Sequence, residues 1–267
     1  MLPGAYLAFK KDKTAYYRSS ITFQNKHISL GSFPSEQQAH QAYLEASRLL
    51  SDFSTTIDDI FSLPTILSFD KAISLLNFRD NHIYFKNPIY LRNNYFVYYL
   101  SPSEELKFDI DDLFYYSSHK IMRRQGHLFV NDYGMQIGIL SRYGIKNYAV
   151  RNRDYYFAND DSSDFRYSNI IIVNRYYGVT KMTSHNACSY KVQIHINGNY
   201  TVGCYQQEEE AAIAYNKAVD LAKKAGIDKN FQTNYIEGYS PREYADVYSR
   251  IKLSRKFLNY LKGICAT

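Results

Sequence analysis

Two three-stranded antiparallel sheets, each backed by one helix, flanking a β-rich middle: this α+β arrangement is what the 267-residue sequence predicts. Three observations lead to it. A stretch near the amino end recurs near the carboxyl end. Each copy reads as alternating β-runs followed by a helix with a stripe of small residues. The residues between the copies are rich in Tyr and Phe and read as short strands. The expected divisions are 1–56, 57–174 and 175–267.

The repeat comes first, because self-similarity constrains every later reading. LGSFPSEQQAHQAYLEA, from Leu30, aligns with VGCYQQEEEAAIAYNKA, from Val202. Gly31, Phe33 and Glu36 match Gly203, Tyr205 and Glu208. Ala39, Ala42, Tyr43 and Ala46 match Ala211, Ala214, Tyr215 and Ala218. Upstream, YRSSITFQNKHISLG parallels YKVQIHINGNYTVG, so that Tyr17 and Arg18 match Tyr190 and Lys191. Strands are expected at Ala5–Lys10, Tyr16–Phe23 and His27–Phe33, and again at Tyr177–Lys181, Tyr190–Ile196 and Tyr200–Tyr205. Asn197-Gly198 is a strong hairpin signal. Ser35 caps the first helix, and Glu208, Glu209 and Glu210 suit the amino end of the second. Alanines at i, i+3 and i+7 let each helix lie close across its sheet, leaving the other sheet face free.

The GV start, the YK-hydrophobic strand, the N-G turn and the EEEAAIAYNKA helix resemble the Apetala/ethylene-response-factor DNA-binding domain. The resemblance covers Gly178–Ile227 well and Gly4–Ser51 less closely. It implies DNA binding through the free sheet face, and a β-ribbon does fit the major groove. The contacts it implies are Lys181, Tyr190, Lys191, Gln193 and His195 in the second copy. In the first copy they are Lys10, Lys11, Lys13, Arg18 and Ser20. Alternation puts Lys191, Gln193 and His195 on one face, with Val192, Ile194 and Ile196 on the other. The chain departs from the family in having no Trp and few Arg on these strands. Each Lys reads equally well as a solvated charge.

The middle reads as strands at Ile83–Phe85, Tyr95–Leu100, His127–Val130, Met135–Ile139 and Asn169–Val173, with a helical pattern over Leu67–Leu76. The run Asp109, Asp111, Asp112 reads as a cap and turn, with a divalent-ion site as the alternative. RDYYFANDDSSDFRYSNIIIVN is similar to the second half of an HNH (His-Asn-His) nuclease finger, H-x-N-G-D-x-x-D-N-R-x-x-N-L, so the middle is expected to be HNH-like (ββα). Asn159 and Asp161 take the first Asn and the Asp. Asp164-Phe165-Arg166 take D-N-R, Asn169-Ile170 take N-L, and Asn174 takes a companion Asn. The general-base His falls on Phe157 and the following Gly on Asp160. A phenyl ring accepts no proton, so hydrolysis loses its base. No cofactor is expected; a divalent metal belongs only to the alternative in which the finger still cuts. There Asp161, Asp164 and Asn169 supply some ligands and His119 or His127, one or two strands upstream, swings in to complete the set.

Net charge is +6, unevenly placed. Residues 175–267 hold 13 Lys and Arg against 8 Asp and Glu, whereas 57–174 hold 13 against 14. The basic excess at the carboxyl end suits a phosphate-facing surface. The 28 Tyr fit half-buried strands, with base stacking as the alternative. Cys188, Cys204 and Cys265 form no CxxC pair, and no apolar run approaches a membrane span. After Ser240-Pro241, Tyr244, Val247, Tyr248 and Ile251 keep helical spacing for core packing. Arg250, Lys252, Arg255 and Lys256 could instead track phosphate. The expectation is thus a cytoplasmic, monomeric DNA-binding protein of phage or mobile-element kind, derived from an HNH nuclease and no longer cutting. The alternatives are an inhibitor of a host nucleoprotein defence enzyme (anti-CRISPR-like), with the Tyr-rich middle as the protein interface, and an active HNH endonuclease.

Overall fold

A computed structural model describes residues 1–62, 65–184 and 187–265. The four three-stranded sheets are each built from strands consecutive in sequence and paired antiparallel. The amino-terminal sheet has β1 (Ala5–Phe9), β2 (Ala15–Phe23) and β3 (Lys26–Phe33), followed by α1 (Glu36–Ser51). The middle has α2 (Ile57–Ser62), α3 (Phe69–Asn81), a sheet β4–β5–β6 (Ile89–Leu91, Tyr95–Ser101, Glu104–Asp109) and α4 (Leu113–Ser118). A small sheet β7–β8–β9 (Ile121–Arg124, His127–Asp132, Met135–Gly138) and a ribbon β10–β11 (Tyr155–Phe157, Ile170–Ile172) complete it. The carboxyl end has β12 (Val179–Ser184), β13 (Ala187–His195), β14 (Asn199–Tyr205), α5 (Glu208–Lys224), α6 (Pro241–Arg250) and α7 (Arg255–Cys265). The fold is therefore mixed α and β, with several small antiparallel sheets and a sheet-plus-helix module at each end.

The two modules share details that the sequence alignment alone does not contain. Ala39, Ala42 and Ala46 are fully buried against the first sheet, as Ala211, Ala214 and Ala218 are against the second. Both sheets carry a β-bulge at the same repeat position, between Ser19 and Ser20 and between Val192 and Gln193. The extra residue on the facing strand is Leu30 in one and Val202 in the other, each turned into its core. Gly4 and Gly178 enter the first strands at φ +73° and +68°, with the ring of Tyr43 or Tyr215 laid over them. A Cβ on either glycine would stand 2.2 Å from that ring. The small-residue helix and the aromatic beside it thus require a residue without a side chain at the module's entrance.

Several expectations need correction. Ile83–Phe85 is not a strand: the Asn77 amide takes the Ile83 carbonyl at 2.7 Å, and strand pairing begins at Ile89. Asn169 closes a 3₁₀ turn, and the strand is only Ile170–Ile172. No helix follows it; the chain runs directly into β12, so the ββα order is not completed. The Asn197-Gly198 hairpin forms, but as a three-residue loop with neither residue at positive φ. The left-handed two-residue turn occurs in the first copy, at Gln24 (φ 45°) and Asn25 (φ 61°). The thiol groups of Cys188 and Cys265 lie outside the described residues, and Cys204 is free and exposed.

The chain divides into two compact units rather than three. One is 1–143 with 157–170; the other is 144–156 with 171–267. No division falls at residue 56, because Ile28, Leu30 and Ala42 share one core with Leu67, Ile73, Leu76 and Val97. Arg79, 3% exposed, reinforces that union: it donates to the carbonyls of Leu49, Asp52 and Thr55 beyond and at the end of α1. Arg79→Lys keeps the charge but loses the fork, and is expected to cost about 1–2 kcal/mol in urea unfolding. Among the described residues no helix is long and apolar enough to cross a membrane.

Candidate nucleic-acid interface

The carboxyl-terminal module presents an open sheet face whose membership follows from its register. Thr180 pairs with Lys191, Lys191 with Cys204, Gln193 with Thr201, and His195 with Asn199. Paired residues share a face, so Thr180, Lys191, Gln193, His195, Asn199 and Thr201 lie together. Val192 and Ile194 are fully buried on the opposite side, and Ile196 packs beside them as alternation predicts. The imidazole Nδ1 of His195 stands 2.9 Å from Asn199 Oδ1, which orders the end of this face. Behind the hairpin, Lys229 Nζ donates to the carbonyls of His195 and Ile196 and steadies its tip.

Two implied contacts are not on that face. Lys181 pairs with Tyr190, one residue out of phase with the Thr180–Lys191 pair. Tyr190 packs against the module's core, and Lys181, though exposed, belongs to the same side of the sheet. Its backbone N–H donates to Asn174 Oδ1 at 2.7 Å. Thr180, Met182, Asn199 and Thr201 share the face of Lys191 and were not singled out from sequence. The hairpin register points to Asn199 and Thr201, opposite His195 and Gln193, whereas Thr180 and Met182 follow only from the pairing of β12 with β13.

The amino-terminal module has a comparable face of different character. Tyr6 pairs with Arg18, Ala8 with Tyr16, and Arg18 with Ser32. Arg18 donates through Nε and Nη2 to Tyr16 Oη at 3.0 and 2.8 Å, and its guanidinium lies 5.6 Å from that ring. Tyr6 is half exposed beside it. Ser20 follows on the same side but is almost covered. Lys10, Lys11 and Lys13 are exposed in and around the β1–β2 turn, where Asp12 accepts from the Thr14 N–H and Lys13 takes φ 64°. Arg18 thus occupies the sheet face and the three lysines its rim.

Residues 157–169 form a closed loop in the first unit. Asp164, 1% exposed, accepts from Arg166 Nε and Nη2 at 2.8 and 2.6 Å and from Asn159 Nδ2 at 3.0 Å. Asn169 Oδ1 accepts from the Asn159 N–H, and its amide donates to the Asp164 carbonyl at 2.8 Å. Asp161 accepts from the N–H and hydroxyl of Ser163 and from Lys107. These bonds hold the carboxyls of Asp161 and Asp164 below their ordinary range: Ser163 does so for Asp161, while for Asp164 Arg166 prevails over burial. Asp160 has φ 60°, the left-handed region that glycine favours. Phe157 is buried and meets Phe165 edge-on at 5.6 Å, and Phe165 stacks on Phe108.

Asn174 belongs to the other unit, where its amide donates to Asp154 and to the Arg153 carbonyl. His119 stacks on Tyr115 and approaches Asp132 at 3.4 Å; His127 is exposed at the β7–β8 turn. In the acidic run, Asp112 is buried against the Arg142 guanidinium and Asp109 accepts from the Tyr167 N–H at 2.6 Å. Among the described residues no three His, Cys, Asp or Glu side chains converge as a metal site would require. Comparisons with protein-family models, curated proteins and solved structures return no match.

Proposed function

We propose that the chain binds DNA through the open faces of its two sheets and carries an HNH-like loop that has kept its backbone and lost its chemistry. The observation that carries the first part is the segregation of side chains on β13. Val192 and Ile194 are buried, while Lys191, Gln193 and His195 stand on the opposite side beside Thr180, Asn199, Thr201 and the exposed Met182. In a major groove, Lys191 suits guanine O6 and N7, and Gln193 suits adenine N6 and N7. The +5 balance of residues 175–267 supplies the non-specific attraction. On the first module Tyr6, Tyr16 and Arg18 offer stacking and phosphate contact, with Lys10, Lys11 and Lys13 at the rim.

The loop reading is supported by Asp160, left-handed where the family has glycine, and by Phe157, turned into an aromatic core where the family has its base. Asp161, Asp164 and Asn169 already have protein partners, so their role in this reading is to hold the turn. DNA affinity is expected to fall steeply with salt, with a log–log slope steeper than about −2 for three or more phosphate contacts. Gel shifts and polarisation titrations on duplex and single strands check this; no affinity for either at low salt refutes the binding role. Plasmid incubated with Mg²⁺ or Mn²⁺ is expected to stay intact. Cleavage abolished by Asp161→Ala or Asn169→Ala overturns the second part.

A second reading, capture of a host protein, is favoured by the exposed aromatic tips of the middle. Tyr133 is 97% exposed at the β8–β9 turn, and Phe114 and Met135 are also open. Such side chains are frequent interface anchors.

A further inference from the structure

The carboxyl-terminal unit has a groove of about 640 Å³ between the end of α5 and the length of α7. Its floor is apolar: Leu221 and Ala225 on one side, Leu258 and Leu261 on the other. Its walls are both cationic, with Lys224 on α5 and Arg255 and Lys262 on α7. Arg255 and Lys262 are seven residues apart, two helical turns or about 10 Å along one face. None of the three cations has a carboxylate partner among the described residues.

We infer that this groove receives an acidic amphipathic helix from a protein partner. An apolar floor flanked by positive charge on both sides complements a helix whose leucine-like stripe is bordered on both sides by Asp or Glu. A nucleic acid would satisfy the cations but gain nothing from the leucines between them. A second copy of the chain does not supply the occupant: its acidic apolar helix, α2, already has Ile57 and Ile60 in a core. The surface is separate from the sheet face assigned to DNA, so the inference does not depend on that reading.

The probe is a fluorescein-labelled synthetic helix of about 18 residues, long enough to be helical, with leucines at i, i+3, i+4 and i+7 and glutamates on both flanks. Polarisation is expected to report binding that weakens about tenfold or more when the glutamates become glutamines, and again in Lys224→Glu/Arg255→Glu/Lys262→Glu. All three positions are exposed, so the triple variant keeps its fold, which circular dichroism verifies. A lysine-flanked peptide is expected to bind the triple variant in preference to the native chain. Leu258→Gln, in a half-buried floor position, reproduces the loss without touching charge. Equal affinity for native and triple-variant chains, or absence of binding at about millimolar peptide, overturns the inference. Displacement of the peptide by a duplex of about 20 base pairs also overturns it and assigns the groove to nucleic acid.

Discussion

Gly178→Ala is expected to lower the unfolding free energy by about 2–4 kcal/mol, measured by urea denaturation of the full chain. Two costs add. At φ 68° an alanine sits in the left-handed region, which disfavours any residue with a Cβ by about 1 kcal/mol. The new methyl also stands 2.2 Å from the Tyr215 ring and 2.5 Å from the Gln193 carbonyl oxygen, so the ring must move or the strand must shift. Tyr215 is buried among the helix residues of the module core and cannot swing to solvent without opening a cavity. On a Tyr215→Ala background the substitution is expected to cost about 1–2 kcal/mol less, a direct reading of the coupling. Gly4→Ala repeats the experiment against Tyr43. Gly198→Ala, at an open position without positive φ, is the control and is expected to stay within about 1 kcal/mol. If all three glycines behave alike, the shared entrance geometry of the modules is not what these residues secure.

Asp164→Ala is expected to cost about 3–5 kcal/mol, because removing one partner of a buried, forked ion pair leaves the rest of the set unsatisfied. Arg166 loses its fork, and the Asn159 amide and the Arg166 N–H lose their acceptor. Asp164→Asn keeps the shape and is expected to lose about half as much. The same carboxylate shapes the acid response. Its folded pKa is depressed, so its contribution to stability is complete above the unfolded value of about 4 and is lost as pH falls through the folded value. Asp154 and Asp161 shift in the same direction and add to the effect. Stability plotted against pH should therefore drop below about pH 4, less steeply in Asp164→Asn. In the retired-nuclease reading, Asp164→Ala leaves DNA affinity unchanged at temperatures where the protein stays folded. A loss of affinity greater than the loss of folded fraction would give the loop a binding role.

The modules were legible because several independent signals coincide in them. Buried alanines every third or fourth residue, a capping Ser35 that accepts from the Gln38 N–H, and alternating β-runs all point to one structure. The start of α6 was legible for the same reason: Ser240 caps the helix, Pro241 opens it, and Ser240 and Glu243 form a capping box. The middle was less so. Its strands are short, and its side chains replace backbone partners, as Asn77 does for Ile83 and Asn87 for the Tyr116 carbonyl. Helix α7 went unread although Ser254, whose hydroxyl accepts from the Phe257 N–H, marks its start; Leu258 and Leu261 supply its apolar stripe. The domain boundary at residue 56 was misplaced because periodicity reports that a helix has an apolar face, not which sheet or helix will cover it. For the site, pattern alone separated Lys191 from Val192. It could not phase β12, so Lys181 was placed with Lys191 where the register gives Thr180.

The most direct test of the DNA-binding account compares two charge-matched variants on one duplex at fixed salt. Lys191→Ala with Gln193→Ala removes one positive charge from the open sheet face; Lys223→Ala removes one from an exposed position at the end of α5. Fluorescence polarisation is expected to show a loss of about tenfold or more for the first and less than about twofold for the second. Equal affinities for the two variants would contradict the account, because the attraction would then follow net charge and not the open face of the carboxyl-terminal sheet.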